Sequence, residues 1–179
     1  MEKAECGNLN PRSTDLNHMA SIAPVSRNRD GFAVSTDPKH LDLDCIHGYS
    51  RRSYWSAEIP RELVARSLEH SLNFGLFEGA PGAGGKQIGF ARVVTDTATF
   101  AWLGDVFVLE DFRGRGLSKW LLQCVMAHPH LQGLRRFLLA TRDAHGLYRQ
   151  SGFKALAAPD TMMEVFKPGL YRRQTTGQP

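Results

Sequence analysis

The sequence predicts an α/β fold, and three observations predict it. Short apolar runs of strand length recur along the chain, with 72–77 and 86–94 facing each other across a glycine-rich turn. Leu117, Trp120, Leu121, Cys124, Val125 and His128 recur at spacings of three and four, the stripe of an amphipathic helix. Between these two patterns, the apolar run Val106-Phe107-Val108 passes through Arg113-Gly114-Arg115-Gly116 directly into that helix.

The bulk properties fit one soluble domain. The chain has 179 residues and 42% hydrophobic content, enough for one ordinary core. Its formal charge is +4 and its pI about 9.1, which permits an anionic ligand without specifying one. The 22 lysines and arginines are scattered, with no dense basic stripe interleaved with aromatics, which argues against a nucleic-acid partner. Cys6, Cys45 and Cys124 are far apart and include no CxxC pair, so neither a zinc site nor a disulfide framework is expected. Reduced thiols in a cytoplasmic protein are the simpler reading. The opening MEKAECGNLN lacks the apolar stretch of a signal peptide. No window approaches the roughly 18 apolar residues of a membrane span, so no membrane partner is expected.

Taken in order, residues 1–30 are polar and aperiodic and read as a flexible N-terminal arm. A single domain is expected over 31–170, and 171–179 reads as a loose C-terminal tail. Phe32–Ser35 is the first expected strand. Asp37-Pro38 then offers a helix start, with Asp as cap and Pro in the first turn, and a helix is expected across Leu41–Tyr49. Ile59-Pro60-Arg61-Glu62 opens a second helix, with Leu63, Val64, Ser67 and Leu68 at helical spacing. The 72–77 and 86–94 runs form a hairpin. Its loop, GAPGAGGK, suggests a phosphate-binding loop, but that motif needs Gly at position 80 and Ser or Thr at 87, where Ala80 and Gln87 stand. Thr99–Val108 reads as a long strand and 136–140 as another. The intervening helix is ended by Pro129. Asp143–Gln150 reads as a short helix closed by Gly152, followed by two last strands at Phe153–Leu156 and Met162–Phe166.

A helix N-terminus presents unpaired N–H groups and a partial positive charge, so it attracts phosphate. Glycines allow a ligand to approach the backbone, and arginines add charge-assisted hydrogen bonds. On these residues alone, a plain helix start with solvated arginines is as good a reading as a phosphate site.

The run Arg113-Gly114-Arg115-Gly116-Leu117-Ser118 resembles the Arg-x-x-Gly-x-Gly/Ala signature of the GNAT superfamily of N-acetyltransferases, and Leu147-Tyr148-Arg149-Gln150-Ser151-Gly152-Phe153 resembles its LYxxxGF segment. The order of elements from Phe32 to Phe166 suits the same fold. Ser118 stands where the family prefers Gly or Ala, and Thr141 where many members have Asn. The resemblance implies a mixed, mostly antiparallel sheet of about six to seven strands, flanked by about four helices and splayed at the strand pair around the ligand.

It also implies chemistry. Acetyl-CoA would be the co-substrate, with its pyrophosphate on the backbone of Arg113, Gly114, Arg115, Gly116, Leu117 and Ser118. The pantetheine arm would pair with Val106, Phe107 and Val108 like an added strand, and one of those N–H groups would polarise the acetyl carbonyl. Tyr148 would protonate the departing thiolate. Asp105 is the candidate base, with Asp143 and His145 as an alternative pair. The partner would be a small-molecule or peptide amine, and a homodimer is compatible with this reading. Tyr54, Trp55, Phe100 and Trp102 are candidate walls for the acceptor. A non-catalytic acyl-CoA-binding module on the same fold is the competing hypothesis.

Other constellations are weaker. Asp143 and His145 are two apart on a helix, so they point apart and cannot complete a triad with Ser151. Cys124 lies within the apolar stripe and reads as core. His128-Pro129-His130 lacks the spacing of a helical metal pair, and no metal is assigned.

Overall fold

The computed structural model describes residues 22–171. Six strands form one sheet whose spatial order follows the sequence: β1 (Ser26–Arg29), β2 (Phe32–Ser35), β3 (Leu72–Glu78), β4 (Lys86–Thr95), β5 (Phe100–Val108) and β6 (Arg136–Leu139). The first five pair antiparallel, and β5 pairs with β6 in parallel. Four helices flank the sheet: α1 (Leu43–Ser50), α2 (Arg61–Glu69), α3 (Leu117–Met126) and α4 (His145–Arg149).

The first strand lies inside the expected arm. Asp30 and Gly31, with φ of 50° and 81°, make the tight turn that folds Ser26–Arg29 back on β2. Its SRNR sequence carries no apolar alternation because this edge strand is mostly exposed. Residues 1–21 of that arm, and the tail beyond 171, lie outside the described residues.

Asp37 does cap a helical turn, but only the single 3-10 turn Pro38–His40. A second aspartate, Asp42, starts α1 by accepting the N–H groups of Asp44 and Cys45 at 2.9 and 3.0 Å.

Helix α3 covers one face of the sheet. Leu117, Leu121, Leu122 and Val125 are buried against Leu72, Phe74, Leu76, Ile88, Val93 and Leu103. On the opposite face, Ile46 of α1 and Val64 of α2 close over Phe90 and Phe107. Each such side chain contributes about 1.5–3 kcal/mol by leaving water, so the two layers fix where β5 can run.

Neither of the two last strands expected at Phe153–Leu156 and Met162–Phe166 forms. Phe153 packs edge-on against Phe137 at 5.4 Å, but Met163, Val165 and Phe166 are 97%, 93% and 72% exposed. An alternating apolar run becomes a strand only when an edge pairs with it, and among the described residues β6 pairs with β5 alone.

Candidate active site

The site arises where β5 and β6 part. Their parallel pairing covers only Phe100–Leu103 against Arg136–Leu139, while β5 runs on to Val108. Gly104–Val108 therefore line an open cleft on that side, a cavity of about 990 Å³ bounded by the α1–α2 connection, the β6–α4 loop and α4. Asp105, Val106, Phe107, Val108, Arg113, Ser118 and Tyr148 all line it. Gly114, Arg115, Gly116 and Leu117 lie outside this wall, on the turn that leads to Ser118.

A bulge shapes the cleft floor. Phe90 pairs with Phe107 and Arg92 with Gly104, so β5 carries an extra residue at this point. Asp105 takes a left-handed conformation there, φ 53°. Its carboxylate is held from two sides: Arg92 Nε donates to Oδ2 at 2.6 Å, and Trp55 Nε1 donates to Oδ1 at 3.1 Å. Arg92 also donates to Ser71 Oγ at 3.2 Å. A carboxylate oxygen has a second lone pair, so both oxygens remain able to accept from a ligand.

The upper end of β5 is fixed by Arg113. Its Nε donates to the Val108 carbonyl at 3.0 Å, and Nη2 donates to Tyr49 Oη at 2.9 Å and Glu110 Oε1 at 3.1 Å. Tyr49 stacks on Phe107 with ring centres 4.0 Å apart. Arg115 folds back over the Phe112 ring at 5.3 Å. Gly114 and Gly116 have φ of 76° and 71°, and a Cβ at either would meet nothing within 4 Å. Those φ values favour glycine, and the space beside the turn is open to an incoming group.

Tyr148, on α4, is half-buried. Burial first, then the nearby Tyr54 phenol and Asp143, push its hydroxyl up to about 12, so it stays protonated at neutral pH. Across the cleft, Tyr54 Oη accepts the Arg142 backbone N–H at 3.1 Å while the Arg142 guanidinium lies 4.0 Å over its ring. Tyr54 and Trp55 meet edge to face at 5.0 Å. Thr141 Oγ1 accepts the Ala144 N–H at 3.0 Å, in the loop before α4.

Not every candidate reaches the cleft. Trp102, Tyr54, Trp55 and Asp143 line it, but Phe100 and His145 do not. Cys124 packs partly buried against the core, and burial raises its thiol above the ordinary value. Among the described residues no cluster of three or more His, Cys, Asp or Glu side chains is placed to hold a metal, and no helix is long and apolar enough to cross a membrane. Arg92, Tyr49 and Arg142 are site residues that sequence reasoning missed. Arg92 had a signal, a lone charge inside the apolar run of β4.

Comparison with known proteins addresses the family. A family model described as an acetyltransferase (GNAT) domain matches residues 77–155. The Gibberella zeae protein "Putative acetyltransferase FG08082" is 32% identical over 161 residues, spanning 79% of this chain and 90% of that protein. The chain belongs to the GNAT family of acetyltransferases. This GNAT protein is also 29% identical over 130 residues to "Serotonin N-acetyltransferase 2, chloroplastic" from Oryza sativa, spanning 69% of this chain and 62% of that one. A crystal structure from Xanthomonas campestris pv. campestris, described as belonging to the GNAT family, is 52% identical. It aligns with a TM-score of 0.74 over 80% of this chain and 99% of that chain. The six-stranded open sheet and four helices of this chain thus match a GNAT-family crystal structure.

Proposed function

We propose that this GNAT protein transfers an acetyl group from acetyl-CoA to a primary amine by direct attack while both substrates are bound. The observation that carries the reading is the unpaired stretch Gly104–Val108 on the β6 side of β5, leading to a glycine turn at the start of α3. Extended backbone without a partner suits an amide-bearing chain. A helix start with open glycines suits a pyrophosphate.

Val106, Phe107 and Val108 would hold the pantetheine arm, and the turn from Arg113 through Gly114, Arg115, Gly116 and Leu117 to Ser118 would hold the phosphates. The thioester supplies the activated acetyl group. A β5 backbone N–H polarises its carbonyl and takes the negative charge that builds on the oxygen. The amine nitrogen forms a bond to the carbonyl carbon, the carbon–sulfur bond breaks, and Tyr148 gives its proton to the leaving sulfur. Asp105 takes the proton shed by the amine, directly or through water.

The acceptor side is aromatic, with a carboxylate at its inner end. Trp55 and Trp102 offer flat faces, and Trp55 is tied to Asp105. A flat apolar body with an ammonium group complements that pairing, so an aryl-alkylamine is the acceptor we propose. The rice relative's name points to the same class.

Free thiol released from acetyl-CoA, measured against aryl-alkylamines, aliphatic diamines and amino acids, tests both levels. Release with aryl-alkylamines at the highest kcat/KM is expected. Thiol release only with other amines removes the acceptor class. Acetyl-CoA binding without release from any amine favours the non-catalytic module.

A further inference from the structure

We propose that Arg52 is a movable charge that binds a phosphate of acetyl-CoA, exchanging its carboxylate partner Glu110 for that phosphate. The inference rests on the acetyl-CoA reading and adds a contact that the glycine turn does not itself carry. The family signature points to Arg113, but that guanidinium is spread over three protein acceptors: the Val108 carbonyl, Tyr49 Oη and Glu110 Oε1. Arg52 lies in the α1–α2 connection, 58 residues before Glu110, where no motif marks it.

Two guanidinium groups meet on one carboxylate. Arg52 Nη1 donates to Glu110 Oε1 at 3.1 Å and Nη2 donates to Oε2 at 3.0 Å, a two-pronged pairing. The same Oε1 also accepts Arg113 Nη2 at 3.1 Å. All three side chains line the cleft, at the end of β5 that leads into the glycine turn. Like charges so close need an anion between them, and a single carboxylate neutralises only one of the two. The arginine fork that fits a carboxylate also fits a phosphate, and the phosphates of CoA bring more negative charge than Glu110 does.

The surroundings of Arg52 suit such an exchange. Its side chain and that of Glu110 are 54% and 48% exposed, and an ion pair in that setting adds little stability. The Arg52 guanidinium lies 4.7 Å over the Tyr49 ring, and Tyr49 stacks on Phe107 at 4.0 Å. That stack keeps the charge beside the open stretch of β5 while the fork changes partner. The other arginines lining the cleft are engaged away from the turn, Arg92 with Asp105 at the bulge and Arg142 over the Tyr54 ring.

Calorimetric titration of the full chain with CoA and with dephospho-CoA, which lacks the 3′-phosphate, tests this at low and at high salt. Arg52→Gln, at an exposed position, should keep the parent's circular dichroism and bind CoA about ten-fold more weakly, the low end of a lost charged hydrogen bond. The difference should shrink as salt rises. A loss that persists with dephospho-CoA puts the contact on the pyrophosphate, and a loss confined to CoA puts it on the 3′-phosphate. Glu110→Gln, which removes the competing charge, should bind CoA more tightly than the parent. Equal CoA affinity in Arg52→Gln and the parent overturns the proposal, as does a loss that salt leaves unchanged or a Glu110→Gln chain that binds more weakly. A parent that binds neither ligand overturns the acetyl-CoA reading, and the inference falls with it.

Discussion

Arg92 and Asp105 form an ion pair of 2.6 Å across β4 and β5, at the bulge where β5 turns toward the cleft. Both side chains are about four-fifths covered, at 20% and 21% exposure. The pair fixes a carboxylate in a backbone conformation that an aspartate adopts at a cost, φ 53°.

Asp105→Asn keeps the shape and removes the charge. Acetyl-CoA affinity should stay the same, the amine KM should rise and turnover should fall. A purely structural Asp105 would lower the melting temperature and leave the amine KM where it was. Arg92→Ala should destabilise by about 1–3 kcal/mol, because a largely covered carboxylate loses its charged donor. Denaturant unfolding of both variants, beside their kinetics, separates the two roles.

Tyr148→Phe should retain fold and acetyl-CoA binding. Turnover should fall by roughly 10²–10⁴-fold, the usual contribution of a positioned general acid. Because burial, Tyr54 and Asp143 push the phenol up to about 12, the parent enzyme should not lose this proton until strongly alkaline pH. Unchanged turnover in the saturated variant, with chemistry rate-limiting, would remove Tyr148 from the mechanism.

Gly116→Val puts a branched residue at φ 71° and fills open space beside the α3 start. The left-handed conformation alone costs about 1–2 kcal/mol. Acetyl-CoA affinity should drop by more than that stability loss explains. Calorimetric titration with CoA and with desulfo-CoA, which share the pyrophosphate, should show the same drop. Equal affinity in a folded variant would show that the phosphates lie elsewhere.

Stability should fall on mild acidification because of His128. This side chain is 2% exposed. Desolvation first, then His130 and Arg27, lower its value to about 4 from 6.5. The unfolded chain therefore binds the proton more readily between those limits. Stability is fully present above about 6.5, is lost as pH falls toward 4, and changes no further from this group below that. The loss amounts to about 3 kcal/mol at most. His128→Leu should flatten the melting temperature across that range, and an unchanged slope would assign the acid sensitivity to other groups.

The sequence by itself determined the parts of this protein whose information is local. Apolar spacing located α2, α3, β3, β4 and β5, and the glycine turn before α3 marked the candidate phosphate site. Asp37 was the cap read from the sequence, but the 3-10 turn it starts ends at His40, and it is Asp42 that begins α1. Tertiary structure decided what depends on partners. β1 is a strand because Asp30-Gly31 folds it onto β2, although SRNR has no strand pattern. Residues 162–166 have the pattern and form no strand, because among the described residues no strand pairs with them. The Asp105 carboxylate met Arg92, 13 residues away, and Trp55, 50 residues away, only when the sheet bulged and the α1–α2 connection closed over it. Periodicity records which face of an element is buried; it does not record which distant edge, charge or ring that face will meet.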